Sequence, residues 1–514
     1  MSALMQKFGD ARAGLARNTL SSIVVFLVAL PLCMGIAIAS GVPPVAGLIT
    51  GVIGGVIVGL FSGSPLLVSG PAAGLAVLVF DLVRDHGLIA LGPVIVLAGV
   101  IQWIAGRARL GVWFRSVSPG VVSGMLAGIG ILIVGSQLHV MFDAAPLPNG
   151  LQNFAAAPGR VWNAISNGDG MTAGALGLAT IAIMLAWEKL RPAKLRLLPG
   201  ALLAVVAVTL TAQLAALPVA RIDLPADLLA SIRPITGDAF KLLLDPALLI
   251  AAGAFAFIAS AETLLSAAAV DRLHDGARTH YDKELSAQGI GNVLCGVFGG
   301  LPMTGVIVRS AANVQAGATS RLSTILHGSW MLLFVLALPW LLRMTPIAGL
   351  AGILVYTGVK MINPAQLREF ADYGRGAVLV FVATAGVIVA TDLLTGVLAG
   401  MALSLLRLSL RAAMLHVNLK QHDEQHNHWT LRLVGSATFL SVPRIAKALD
   451  SVPEGATLTL DAERLRYIDH ACLVLLRDWQ RTAPATNREL IADDSLLDAR
   501  AESGGRRAMV QALS

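Results

Sequence analysis

The sequence predicts a polytopic α-helical membrane protein that ends in a small α/β domain. Three observations predict it. Hydrophobic residues fill 56% of the 514 positions and charged ones only 13%, with mean hydropathy +0.74, whereas soluble domains carry about 25% charged residues. The apolar residues gather in runs of helix length, suited to a hydrocarbon core about 30 Å thick. After about residue 420 those runs stop, and alternating and amphipathic stretches replace them.

The same balance excludes several classes. The net charge of +7 would suggest nucleic acid in a soluble protein. Here most Lys and Arg fall in short loops, where membrane topology explains them and no nucleic-acid partner is expected. Cys33, Cys295 and Cys472 lie far apart, with no CxxC or Cys/His spacing, so neither a disulfide framework nor a metal site is expected. No GxxxxGK[ST] loop and no redox-cofactor motif occurs. That argues against an ATP-driven pump, an enzyme or a bound cofactor.

Taken in order, residues 1–19 read as a cytoplasmic lead-in. The first apolar run begins near Leu20 and is too long for a signal-peptide core, so it is expected to stay as a span. Runs follow at roughly 20–40, 43–61, 70–83, 88–105, 117–138, 171–187, 196–217, 247–268, 285–299, 304–317, 322–342, 346–361, 375–391 and 393–414, about fourteen segments. Basic loops alternate with poor ones. Arg107, Arg109 and Arg115 share a side with Lys189, Arg191, Lys194 and Arg196, with Lys360, Arg368 and Arg375, and with Arg407, Arg411 and Lys420. The long loop 139–170 holds only Arg160. Positive charge is retained inside, so both termini are expected in the cytoplasm of a cell whose inner (plasma) membrane holds the chain.

Two spans differ from the rest. Residues 62–83 read SGSPLLVSGPAAGLAVLVFDLV and residues 299–317 read GGLPMTGVIVRSAANVQAG. Each opens on a Gly/Pro turn, passes a few extended residues and restarts as a short helix, and each is third in its half. Interrupted segments at matching places in two halves point to a transporter's binding site. Irregular backbone at membrane depth must line a cavity or be buried in protein. A half-helix starting there aims free N–H groups and a positive dipole end into that cavity, and two such ends make an anion site.

Two charges stand beside these breaks. Glu262 lies inside an apolar run, where a carboxylate is expensive and faces the bundle interior. It could carry a proton through a transport cycle or serve as an interhelical hydrogen bond. Ser266, at i+4, shares its face. Arg309 follows the second break. Its planar guanidinium suits oxyanions; it could attract the anion, pair with Glu262 in an empty site, or snorkel to the inner interface. Asp81 and Asp392 read as interfacial. Beyond the spans, 416–427 reads as a polar linker. HWTLRLVGSATFLS reads as a strand, VPRIAKALDSV as a helix, ATLTLDAERLRYID as a strand region, HACLVLLRDWQRT as a helix and RELIADD as a late strand.

LPLCMGIAIASGVPPVAGL, SGSPLLVSGPAAG, AETLLSAAAVD and GIGNVLCGVFGGLPMTGVIVRSAANVQAGATSRLS resemble, in order, the membrane segments of the sulfate permease (SulP) family of anion transporters. The C-terminal region resembles the STAS domain that ends those proteins. The resemblance implies a 7+7 inverted repeat (repeat one 20–217, repeat two 247–415) with a core domain of spans 1–4 and 8–11, a gate domain of spans 5–7 and 12–14, a STAS domain at 428–514, and a homodimer. It implies elevator-like transport of a small inorganic anion, bicarbonate or sulfate, held by Pro71, Ala72 and Ala73 of the third span and Gly305, Val306 and Ile307 of the tenth. Arg309 matches a basic residue common in animal members. Glu262, with Ser266, falls where the sodium-coupled bicarbonate carriers place a sodium-binding aspartate. The change to glutamate points to proton symport or anion exchange. Sodium-coupled bicarbonate uptake, dicarboxylate (fumarate-like) transport and, last, a membrane-anchored STAS regulator are the alternatives. Some STAS domains carry a phosphorylated serine after the aspartate that opens the second helix. Here His470 follows Asp469, so that switch is not expected and His470 reads as a helix-start residue.

Overall fold

The computed structural model describes residues 2–111, 118–147, 150–168, 170–192, 195, 198–224, 234–372, 374–423 and 427–501. Arg115, Lys194 and Arg196 lie outside that set, as do 424–426 of the expected linker and 502–514 of the expected STAS domain. The chain divides into two compact units at Met401/Ala402.

The first unit begins with α1 (Ser2–Ala39), one continuous helix through the expected lead-in and first span, and α2 (Pro44–Ile53), continued by a π turn at Gly54–Val58. The strand β1 (Ser69–Pro71) runs into the half-helix α3 (Ala73–His86), followed by α4 (Leu88–Arg107), α5 (Pro119–Met141), α6 (Gly150–Asn167), α7 (Met171–Leu190) and α8 (Gly200–Leu214). The second set repeats the plan. It holds α9 (Pro246–Val270), α10 (Tyr281–Phe298), β2 (Met303–Gly305) with the half-helix α11 (Ile307–Gln315), α12 (Leu322–Ala337), α13 (Ile347–Met361), α14 (Pro364–Asp372), α15 (Arg375–Ala390) and α16 (Leu393–Ala412). Among the described residues, seven helices are long and apolar enough to cross a membrane, and four shorter apolar ones accompany them. With α6 and α14 set aside as connectors, each set supplies seven membrane segments, one of them broken where the sequence breaks.

The loop expected at 139–170 is not open chain, because α6 fills much of it. Asn153 anchors its start: Leu147 N–H donates to Asn153 Oδ1 at 2.8 Å, and Asn153 Nδ2 donates back to Leu147 O at 2.8 Å.

Packing sorts the segments into two groups. In one, α10 lies along α4, α9 joins them, and α1 packs with α2, α11 and α12. In the other, α5 packs against α13 and α15, and α7 against α8 and α13. These are the core and gate sets that the resemblance implies. The close approach of α10 to α4 is glycine-made: a Cβ on Gly289 would stand 2.6 Å from Gly99 O and 2.5 Å from Trp103 N. Small residues let membrane helices meet backbone to backbone, where dispersion replaces the hydrophobic drive that lipid cannot supply.

The C-terminal unit holds a mixed sheet of β3 (Leu415–Asp423), β4 (His428–Ala437), β5 (Thr457–Asp461), β6 (Leu465–Ile468) and β7 (Glu489–Ile491), with α17 (Val442–Asp450) and α18 (His470–Thr482). The order is β3-β4-β5-β7, with β6 also on β4. The pair β3–β4 is antiparallel and the other pairs are parallel. Leu431, Leu433, Ile445, Leu458, Cys472 and Leu476 form its core. The expected linker at 416–427 is corrected here. Its first part is an edge strand, because Leu415, Val417 and Leu419 alternate onto the core with the period of two that a strand face requires.

Candidate functional site

The two breaks meet. β1 and β2 pair antiparallel, with Ser69 opposite Gly305, Gly70 opposite Thr304 and Pro71 opposite Met303. Val306 N–H extends the ladder by donating to Val68 O at 2.9 Å. Pairing satisfies backbone groups that would otherwise stand bare at membrane depth. Each strand ends in one extended residue, Ala72 (φ −96°, ψ 125°) or Val306 (φ −106°, ψ 114°), and the half-helix starts at once. Neither start carries a side-chain cap. Because the strands run oppositely, α3 and α11 leave from opposite ends of the ladder, roughly 7 Å apart at two residues' rise. Their positive dipole ends face the same short sheet.

The structure therefore brings Pro71, Ala72, Ala73, Gly305, Val306 and Ile307 together across the ladder. Pro71, Ala72 and Gly305 are buried, Ala73 and Val306 half-buried, and Ile307 exposed. Glu262 reaches the same place from α9. A Cβ on Gly74, in the first turn of α3, would stand 2.9 Å from Glu262 Oε2, so glycine is what lets the carboxylate approach that helix start. Oε2 is enclosed and accepts no hydrogen bond. Ser266 is buried one turn further along α9.

Arg309 corrects two expectations. It does not snorkel, since it is only 1% exposed. It forms no ion pair with Glu262 either. Its guanidinium lies behind the ladder, where a Cβ on Gly70 would meet Nη1 at 2.2 Å, and it neighbours Cys33 of α1 and His327 of α12. Nε and Nη1 are buried without acceptors. The physical reason is position: Arg309 is the third residue of α11, and its side chain folds back beneath the ladder into space that α1 and α12 enclose. Its fixed charge stands under the strand that leads to α3. Asp81 pairs with Arg84 at 3.0 Å, and Asp392 binds Thr395 at the start of α16.

Sequence reasoning missed the face of α10 that holds the ladder. Glu284, Gln288 and Asn292, all buried, recur at i, i+4 and i+8 and so line one stripe. Glu284 Oε2 accepts from Ser62 Oγ at 2.6 Å and from the N–H groups of Gly63 and Ser64 at 2.9 Å each. Gln288 Nε2 donates to Ser69 Oγ at 2.6 Å. Asn292 accepts from Met303 N–H at 2.7 Å and donates to Met303 O at 3.2 Å. From α9, Thr263 Oγ1 accepts from Gly305 N–H at 3.1 Å. The available signal was the polar spacing itself, E-x-x-x-Q-x-x-x-N inside an apolar run.

Paired half-helices crossing within a two-set helical bundle define a membrane transporter. Residues 15–384 match the Sulfate permease family and residues 421–494 match the Mlab, STAS domain; the chain belongs to the sulfate permease family, whose members here are anion transporters. YvdB of Bacillus subtilis, provisionally named a sulfate transporter, is 30% identical over 397 residues, covering 76% of this chain and 72% of that protein. The transmembrane domain of a cyanobacterial bicarbonate transporter, BicA, superposes with TM-score 0.66 at 28% identity, over 74% of this chain and 97% of that one. The overall structure of SLC26A9 superposes with TM-score 0.76 over 94% of this chain and 84% of that one, at 14% identity, a likeness of fold alone.

Proposed function

We propose that the protein is a secondary active carrier of a small inorganic oxyanion, bicarbonate or sulfate. The observation that carries this reading is the β1–β2 ladder, which aims two uncapped helix starts at one place, with a buried guanidinium beneath. Backbone N–H groups of Ala73, Ile307 and their neighbours would hold the anion. Arg309 contributes potential rather than contact, which explains how the site attracts an anion without a full ion pair to break at release. The names of the relatives support the two anions: one is called a bicarbonate transporter and another is named for sulfate.

Glu262 with Ser266 is the coupling position in this reading. A carboxylate oxygen that is enclosed yet accepts no donor suits a proton that comes and goes, in symport or in exchange. Sodium at the same oxygen is the alternative. The core set would carry the anion across the gate set in an elevator-like shift, in a homodimer in the inner membrane with both termini cytoplasmic. Competition among bicarbonate, sulfate, chloride and fumarate in proteoliposomes, with and without pH and sodium gradients, tests this. Bicarbonate or sulfate should dominate, with a pH gradient driving uptake. Preference for fumarate, or dependence on sodium alone, would replace this reading with the corresponding alternative.

A further inference from the structure

A cavity of about 500 Å³ lies between the two packing groups. Val24 and Val28 of α1 and Ala312, Gln315 and Ala316 at the far end of α11 line one wall; Arg191 after α7 and Leu198–Gly200 at the start of α8 line the other. These stretches all belong to one side of the bundle, since the first and seventh spans, α1 and α8, begin there and the sixth and tenth, α7 and α11, end there. The loop charges place that side in the cytoplasm. Ala312 lies six residues past Val306, so the cavity comes within about 9 Å of the start of α11 along its axis.

Arg191 is the charged residue among the described cavity-lining ones. It is exposed, and no acidic group lies within ion-pair distance of it among the described residues. Glu188, three residues earlier, interacts with Arg191 electrostatically, but its carboxylate is hydrogen-bonded by Lys360 Nζ at 2.6 and 2.8 Å and by the Tyr356 hydroxyl. A guanidinium at the mouth of a low-dielectric cleft, not locked in an ion pair, focuses potential and raises the local concentration of anions.

We propose that Arg191 collects hydrated oxyanion into this cytoplasmic-side cavity before the anion reaches the helix starts. It is an access residue for the carrier activity, and the proposal rests on that reading. Inverted membrane vesicles present the cavity outward and right-side-out vesicles hide it, so initial rates of labelled bicarbonate and sulfate flux from each face test the assignment. At about 20 mM ionic strength, Arg191→Gln should raise KM roughly 3- to 10-fold from the cavity face with unchanged maximal rate, and Arg191→Glu more. At about 200 mM, where the Debye length is below about 10 Å, the difference should shrink below about twofold. Arg191→Lys should stay within about twofold of the unsubstituted protein, because the charge persists. KM should not change from the opposite face, nor in Lys241→Gln, which removes a surface charge elsewhere. An unaltered KM in Arg191→Gln, an equal change from both faces, a fall in maximal rate alone, or failure of lysine to substitute would each overturn the proposal. Lack of saturable flux in the unsubstituted protein would overturn the carrier reading and this proposal together.

Discussion

The two broken spans share a backbone and differ in chemistry. Each places a three-residue strand before a half-helix, and each helix begins without a side-chain cap. Their supports differ. The turn before β1 is gripped by a carboxylate, Glu284, through three donors. β2 is held by neutral partners, Asn292 and Thr263. Their charges differ as well: the first half-helix receives Glu262 at Gly74, whereas the second carries Arg309 beneath the ladder. Duplication therefore explains the paired helix ends that the proposed function assigns to the anion. Divergence supplies the unlike groups that the same proposal assigns to coupling and attraction.

Removing the unlike supports should break this comparison most sharply. Glu284→Ala removes the acceptor shared by the Ser62 hydroxyl, Gln288 Nε2 and two backbone N–H groups in a buried site, and leaves Gly63 N–H with none; it should destabilise the detergent-solubilised protein by about 3–5 kcal/mol. Asn292→Ala should cost about 1–3 kcal/mol. Thermal unfolding of both variants checks the order, and equal losses would mean that the two halves are braced alike. A steric change ranks next. A Cβ on Gly54 would lie 2.6 Å from Ser69 O, so Gly54→Val should push β1 off its partner and lower uptake by about 100-fold, as a displacement near 1 Å does to a pre-organised site. Retained uptake in correctly inserted protein would show that the ladder tolerates movement.

Glu262→Gln should then abolish pH-driven uptake while leaving anion counterflow within about tenfold of normal, since glutamine keeps the shape and loses the titratable proton. Unchanged pH-driven uptake would remove Glu262 from coupling. The smallest effect is expected in the C-terminal unit. Arg432 Nε lies 2.6 Å from Asp461 Oδ2, and this guanidinium holds the Asp461 carboxyl below the usual carboxylate range. A depressed folded value means the contribution is complete above the ordinary pKa near 4 and fades as pH falls through the lowered one. The pair is largely exposed, so Arg432→Ala should cost less than about 1 kcal/mol at pH 7, and less still below pH ~3. Melting curves across pH check it; a difference that grows on acidification would contradict the sign.

Much of this was legible in the sequence because membrane burial leaves strong marks. Gly/Pro breaks inside apolar runs located both half-helices, and Glu262 stood out as an acid deep in an apolar run, whereas Asp81 and Glu188 lie near run ends. Arg309 was visible as a residue but not as a geometry: Cys33 and His327, which flank it, come from helices far apart in the chain. Glu284 was passed over because it adjoins the polar turn 271–283, where acids are ordinary, and Gln288 and Asn292 carry no charge to draw attention. The strand Leu415–Asp423 was hidden by its neighbours. Its own alternation is regular, but the polar HDEQHNH stretch that follows gave the whole segment the character of a connector.

The ladder also sets a clock on how the protein is made. Pro71 and Met303 stand opposite each other in the ladder, yet a ribosome adding about 5–20 residues per second reaches β2 on the order of 10–50 s after β1. Throughout that interval the first break has no strand to complete it, and bare peptide groups do not rest in lipid. The first repeat must therefore be inserted in a provisional form, held at the bilayer surface or by insertion machinery. The paired helix starts come into being only when the second repeat arrives and closes the ladder.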